Sequence, residues 1–211
     1  VAETILVIGI HREELTFGKR VAELSEGSRI DVLHIGQGLS SKKPVFDDLF
    51  YYTTRHREIY LQLHQQLKKK YGTVIDLHTG INESGRCADV FCKHINLLDC
   101  LETTLKKRSD IPCRLPGTIQ LVRIVADSTE TNQPSMNIRK EDAKQEKYAV
   151  CRTVIPQTVW ASKDFVYVGL EIYLPRPGMG SRKDWLFTAN IIDCIYKCGE
   201  SFRNDSLGQV A

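Results

Sequence analysis

The chain has 211 residues, 42% of them hydrophobic and 26% charged, which supports one sizeable core and makes a single domain over residues 1–211 the expectation. Twenty-nine Lys and Arg against 26 Asp and Glu leave a formal charge of +3, too small and too dispersed for a nucleic-acid groove. The opening apolar run ILVIGI is far shorter than the ~20 residues of a membrane helix and lacks the basic flank and cleavage site of a secretory signal, so a cytoplasmic chain without a membrane partner is expected.

The first third alternates short β-rich runs with longer helical patterns, the rhythm of a parallel sheet covered by crossover helices. Residues 4–10 read as a continuous apolar strand of the buried kind, and residues 13–26 as a helix that Gly27 stops. RIDVLHI (29–35) is a second strand. After the connection GQGLSSKKP, Ile59, Leu63 and Leu67 recur every fourth residue and predict a helix over 54–70, with a solvated Lys68, Lys69, Lys70 end and Gly72 as its stop. TVIDLH (73–78) is a third buried strand, followed by a helix over 93–107. Strands are expected at 118–126 and 149–155, with the polar stretch 127–147 between them as a surface loop or short lid. FVYVGLEIYL (165–174) is the clearest strand, and a terminal helix over 181–198 opens on a Ser-x-x-Asp box (Ser181, Asp184) and closes at Gly199.

The seven cysteines (Cys87, Cys92, Cys100, Cys113, Cys151, Cys194, Cys198) are odd in number and contain no C-x-x-C pair. They are expected to be buried thiols in a reducing compartment, with neither a disulfide framework nor a zinc knuckle, and Cys194 and Cys198 read as core thiols on one helical face.

His11 and Glu14 emerge together at the carboxyl end of the first strand, where open α/β folds place ligands. Such an H-x-x-E pair can aim an imidazole nitrogen and a carboxylate oxygen at one ion, or simply start a helix. The third strand ends in Asp76-Leu77-His78, which brings a second imidazole to the same sheet edge. Asp76 shares a face with His78 and either orients the imidazole or caps the adjoining segment. In the late strand Val166, Val168, Leu170, Ile172 and Leu174 form an aliphatic face, and Glu171 is the only charge. A carboxylate there needs a cation, a role in catalysis, or a structural salt bridge. His34, His56, His64 and His94 read as structural or exposed, His64 being the one with most claim to a role.

His-x-x-Glu after the first strand, Asp-Leu-His at a later strand end and Glu in a late strand before the terminal helix resemble the zinc carboxypeptidase-like superfamily. Within it the chain is similar to the N-formylglutamate amidohydrolase and aspartoacylase/succinylglutamate desuccinylase groups, and RHREIYLQLHQQLKKKYGTVIDLHTG has the layout of the former. The resemblance implies a three-layer α/β/α domain with a mixed, mainly parallel sheet. It implies one zinc per chain on His11, Glu14 and His78, with Glu171 as general base and Asp76 behind the ligands. It also implies a substrate with a carboxylate held by an arginine, for which Arg55, Arg57 and Arg86 are the candidates. The Asn-Arg pair of the larger carboxypeptidases is not found between Glu14 and His78. The expected activity is hydrolysis of an amide in a small N-acyl amino acid or γ-glutamyl-type peptide; the alternative is a metal- or carboxylate-binding module that does not turn over.

Overall fold

A computed structural model of the chain describes residues 3–25, 29–42, 49–108, 118–126 and 147–207, with side chains to residue 202 in the last helix. The apolar run after the N-terminus forms β1 (Thr4–Ile8), buried at every position because both faces of the strand are covered. It ends two residues before the expected limit: Gly9 turns the chain at φ +87°, a conformation that side chains other than glycine rarely adopt. A 3-10 turn (Arg12–Glu14) leads into α1 (Leu15–Leu24). Then follow β2 (Ile30–His34), α2 (Leu49–Leu67), β3 (Thr73–Ile81), β4 (Cys87–Cys92), α3 (Ile95–Lys107), β5 (Ile119–Ile124), β6 (Ala149–Cys151), α4 (Gln157–Trp160), β7 (Val166–Leu174) and α5 (Arg182–Leu207).

The seven strands form one mixed, mostly parallel sheet in the order β2-β1-β3-β7-β4-β5-β6. The antiparallel pair is β4 with β7, so β1, β2, β3 and β7 run one way and β4, β5 and β6 the other. Strand alternation splits the apolar residues between two cores. Leu6, Ile75, Val168 and Leu170 pack under α1, α3 and α5, through Phe17, Leu98 and Ile191 among others. Ile5, Val7, Val74 and Tyr167 pack under α2 and α4, through Tyr60, Leu63 and Trp160. This is the expected three-layer α/β/α arrangement.

Several boundaries differ from expectation. β4 falls where no strand is predicted, because CADVFC alternates buried and half-buried residues over only six positions. α2 begins earlier, at Leu49, and ends at Leu67, with Lys69 rather than Gly72 in the left-handed region (φ 61°). α5 runs through Gly199 to Leu207, since Gly199 lies against Thr73 of β3 and serves close packing instead of a stop. The cysteine expectation also needs correction: Cys100 of α3 and Cys198 of α5 form a disulfide, because these two helices pack side by side on the same face. Cys87, Cys92, Cys151 and Cys194 are free thiols. The stop at Gly27, Cys113, and the loop or lid over 127–146 lie outside the described residues. Among the described residues no helix is long and apolar enough to cross a membrane.

Candidate metal centre

The turn that carries His11 is held from both sides. Leu39 N donates to Ile10 O (2.8 Å) and Arg12 N donates to Leu39 O (2.8 Å), so the segment after β2 braces it. A side chain on Gly38 would overlap the carbonyl oxygen of Gly9, which is why the two backbones can approach so closely. Glu14 follows one short turn later, its N donating to His11 O (3.0 Å), and its carboxylate is buried beneath the imidazole. His11 Nδ1 lies 3.1 Å from Glu14 Oε1. The other oxygen, Oε2, lies 3.1 Å from His78 Nδ1, presented by the neighbouring strand β3.

Behind His78, its Nε2 meets Asp76 Oδ2 at 3.1 Å. The same carboxylate oxygen accepts from Tyr60 Oη (2.8 Å) on α2 and Tyr167 Oη (2.7 Å) on β7. Asp76 is 1% exposed, and its Oδ1 has no hydrogen-bond partner among the described residues. Burial alone would raise the carboxyl, but the His78 imidazole and the two tyrosine hydroxyls hold it below the usual range. Burial would lower His78, yet Asp76 and Glu14 carry it well above an ordinary histidine. Glu14, pushed up by burial, is brought below its usual value by hydrogen bonds from His11 and His78. Nδ1–H of His78 donates to Glu14; with an ion present, an Nε2–H kept on Asp76 would free the Nδ1 lone pair for the metal, the arrangement that second partners impose on metal-binding histidines.

The donor atoms of His11, Glu14 and His78 all lie within 4.8 Å of one another. Neighbouring ligands of a tetrahedral zinc ion, with bonds of about 2.0–2.2 Å, stand about 3.3–3.6 Å apart, and two nitrogens with one carboxylate form a donor set that leaves a corner open. The residues present therefore fit such an ion.

Glu171 sits beside this cluster on β7, in register with His78 across the β3–β7 pair and with Asp89 across the β7–β4 pair. Burial pushes its carboxyl up to about 7; the imidazoles of His78 and His11 oppose the rise, and the carboxylates of Glu14 and Asp89 add to it. A Cβ on Gly80 would come within 3.0 Å of Glu171 Oε1 and 2.7 Å of the Tyr173 ring, so the glycine leaves space for both. Tyr173 Oη donates to Asp89 Oδ2 (3.2 Å), which fixes the second carboxylate of the row. Asp89 was not anticipated, because its strand was not; its alternation with Cys87 and Phe91 was the available signal.

His11, His78 and Glu171 open onto a cleft of about 140 Å³ on the α2 side of the sheet. Phe91, Gly169 and Tyr167 form its floor, and residues 151–155 its wall. His56 lines it too, stacked at 6.1 Å on His11 and followed by Tyr60 one helical turn along. Of the predicted arginines, Arg55 and Arg57 are exposed on α2, and Arg55 lines a separate polar groove with Arg12 and Lys42. Arg86 donates to Asp184 Oδ1 (3.0 Å) and lies over the Phe187 ring. None of the three lines the cleft; among the described residues the arginine that does is Arg152, just past β6. His64 packs on Phe165, His94 on Phe202, and His34 is exposed at the end of β2.

No family model matches the chain, and no curated protein does. Among solved structures it is similar to murine aminoacylase 3, with a TM-score of 0.46 and 14% identity over 96% of this chain and 65% of that one. It is also similar to a bacteriophage poly-gamma-glutamate hydrolase (TM-score 0.46, 13% identity, 97% and 86% covered) and to the CwlD amidase from Clostridioides difficile (0.42, 11%, 96% and 98%). The chain thus spans just under two thirds of the aminoacylase structure.

Proposed function

We propose that this chain is a zinc-dependent amidohydrolase that cleaves an amide bond in a substrate bearing a carboxylate, an N-acyl amino acid or a γ-glutamyl-type peptide. The observation that carries the reading is Glu171, a carboxyl group with its pKa raised to about 7, opening onto the same cleft as a two-histidine, one-carboxylate cluster. His11, Glu14 and His78 would hold one zinc per chain. When bound, the ion supplies Lewis acidity to the scissile carbonyl and to the attacking water.

The rest of the chemistry belongs to the chain. Glu171 accepts a proton from water as its oxygen bonds to the acyl carbon, and delivers that proton to the nitrogen as the C–N bond breaks, giving a carboxylate and an amine. A carboxyl group that titrates near neutrality is suited to both transfers. Asp76, itself fixed by Tyr60 and Tyr167, keeps the Nε2 proton of His78 in place so that Nδ1 faces Glu14. Arg152, which lines the same cleft as Glu171, would hold the substrate carboxylate, which its planar guanidinium matches.

Glu171→Gln tests the assignment, because the amide keeps the size of the carboxylate but cannot take the proton. Amine release should fall by about 10²–10⁴-fold while bound metal, measured by elemental analysis, is unchanged. Metal lost together with activity would make Glu171 a ligand. Unaltered turnover would end the proposal, and no turnover by the metal-loaded parent would leave a binding module.

A further inference from the structure

His56 stands in the metal cleft without belonging to the metal cluster. Its imidazole lines the cleft with those of His11 and His78 and with Glu171, whereas the donor atoms gathered for an ion are those of His11, Glu14 and His78. A ligand role therefore does not account for it.

The ring is held by its aromatic neighbours. Tyr52, one turn earlier on α2, lies at 6.4 Å with 23° between the ring planes, and His11 lies at 6.1 Å with 25°. Tyr60, one turn later, meets it at 5.0 Å and 57°. Tyr52 is itself tied down, its hydroxyl donating to Ser40 O (3.0 Å). Near-parallel neighbours occupy the faces of an imidazole and leave its edge, which carries the nitrogens, for polar contacts.

The size of the cleft decides what that edge meets. The whole cleft, with the space beside His11, His78 and Glu171 included, holds about 140 Å³. Protein cavities of about 150 Å³ accept a single benzene. An acyl amide placed for attack by water beside Glu171 thus spans the cleft and touches the α2 wall as well as the sheet. The other polar groups there have tasks of their own. The hydroxyls of Tyr60 and Tyr167 donate to Asp76, and Nδ1 of His11 and of His78 faces Glu14. Thr153 Oγ1 accepts from Ile155 N (3.1 Å), and Arg152 is assigned to the substrate carboxylate. An amide under attack gathers negative charge on its carbonyl oxygen, and a donor fixed in advance stabilises that charge without having to reorganise.

We propose that His56 is a catalytic residue, the oxyanion donor, whose imidazole N–H hydrogen-bonds the carbonyl oxygen of the scissile amide as water adds to the acyl carbon. No proton is transferred at this contact: the N–H stays on the imidazole while charge builds on the oxygen and falls again as the C–N bond breaks. The proposal rests on the hydrolase reading for the amide it acts on.

Two variants of the metal-loaded protein separate this role from mere support of His11. His56→Phe keeps a ring among Tyr52, His11 and Tyr60 but has no donor, and His56→Gln keeps an N–H without the ring. On the N-acyl amino acid or γ-glutamyl peptide that the parent turns over fastest, His56→Phe should lower kcat about 10²–10³-fold with KM within about threefold, and bound metal, by elemental analysis, should be unchanged. His56→Gln should recover at least about tenfold of that loss. Calorimetry reads the same contact without turnover. The same amine carrying a methylphosphonyl group in place of the acyl group, a tetrahedral mimic, should bind His56→Phe about 10²–10³-fold more weakly than the parent, and the free amine product should bind both within about threefold. Metal lost in His56→Phe, kcat unchanged, KM raised at constant kcat, or His56→Gln as slow as His56→Phe would each overturn the proposal. No amine release by the parent from any of these amides would sink the hydrolase reading and the donor with it, whereas turnover by the parent matched by His56→Phe would sink the donor alone.

Discussion

Glu171 shows how far one buried group can move the stability of the metal-free protein. Its carboxyl titrates near 7 in the fold against 4.5 in an unfolded chain, so between those values the folded state keeps a proton that the unfolded state has released. The contribution of this group is therefore present below pH 4.5 and lost as pH rises through 7. In metal-free protein, Glu171→Gln should be about as stable as the parent at pH 4 and more stable at pH 8 by about 3 kcal/mol, since each pKa unit is worth about 1.4 kcal/mol. Urea denaturation of both proteins at the two pH values is the measurement, and a pH-independent difference would return Glu171 to an ordinary surface carboxylate. Asp76 acts at one remove. Asp76→Asn keeps an oxygen for the hydroxyls of Tyr60 and Tyr167 but weakens the hold on His78, and metal affinity should fall about 10–100-fold in a chelator competition. Affinity equal to that of the parent would show that His78 is oriented by Glu14 and packing alone.

At the scale of elements, the contact between α5 and β3 decides what Gly199 is for. A Cβ there would come within 2.7 Å of Thr73 Oγ1 and 3.5 Å of its Cβ, on a buried, β-branched side chain that cannot swing far. Gly199→Ala gains about 1 kcal/mol of helix propensity but meets overpacking of about 1–3 kcal/mol. The variant should melt at a lower temperature than the parent, and a rise would mean that α5 shifts freely on the sheet. This position also marks the boundary of what the amino-acid order reveals. A glycine after a helical pattern reads as a stop, and only the approach of a distant strand makes it a packing residue. The strands around His11, His78 and Glu171 were legible because each is a long apolar run with polar residues at one end. β4 was not, since its six residues mix Asp89 and Phe91 on one face and the pattern is too short to separate from a loop. Arg152, Phe91 and Ile124 were beyond reach for another reason: they meet at the cleft from three separate strands or strand ends, a proximity set by sheet order.

For the whole molecule, the Cys100–Cys198 disulfide ties α3 to α5 across 98 residues of chain. A cross-link over so long a loop restricts the unfolded ensemble, and its loss typically costs about 2–4 kcal/mol. Urea unfolding with and without reductant should show a difference of that order, and denaturing alkylation should leave Cys100 and Cys198 unlabelled until reductant is added. Full labelling without reductant would show that both are thiols.

The place of β7 in the sheet has a consequence for the order in which the protein comes into being. It is the last described strand along the chain, yet it lies between β3 and β4, which are joined to each other by a short turn. On a ribosome, β3 and β4 are both synthesised long before the segment that separates them. Until residues 166–174 emerge, each waits with a bare pairing edge, and no strand pairing ties the half-sheet carrying β1, β2 and β3 to the half carrying β4, β5 and β6. Closure is thus a late, non-local event, of the kind that slows folding and leaves nascent chains prone to mispairing. It also times the chemistry. His11, Glu14 and His78 are all present in the growing chain when β3 is complete, whereas Glu171 arrives with the strand that closes the sheet, so a nascent chain holds its metal ligands well before it holds its base.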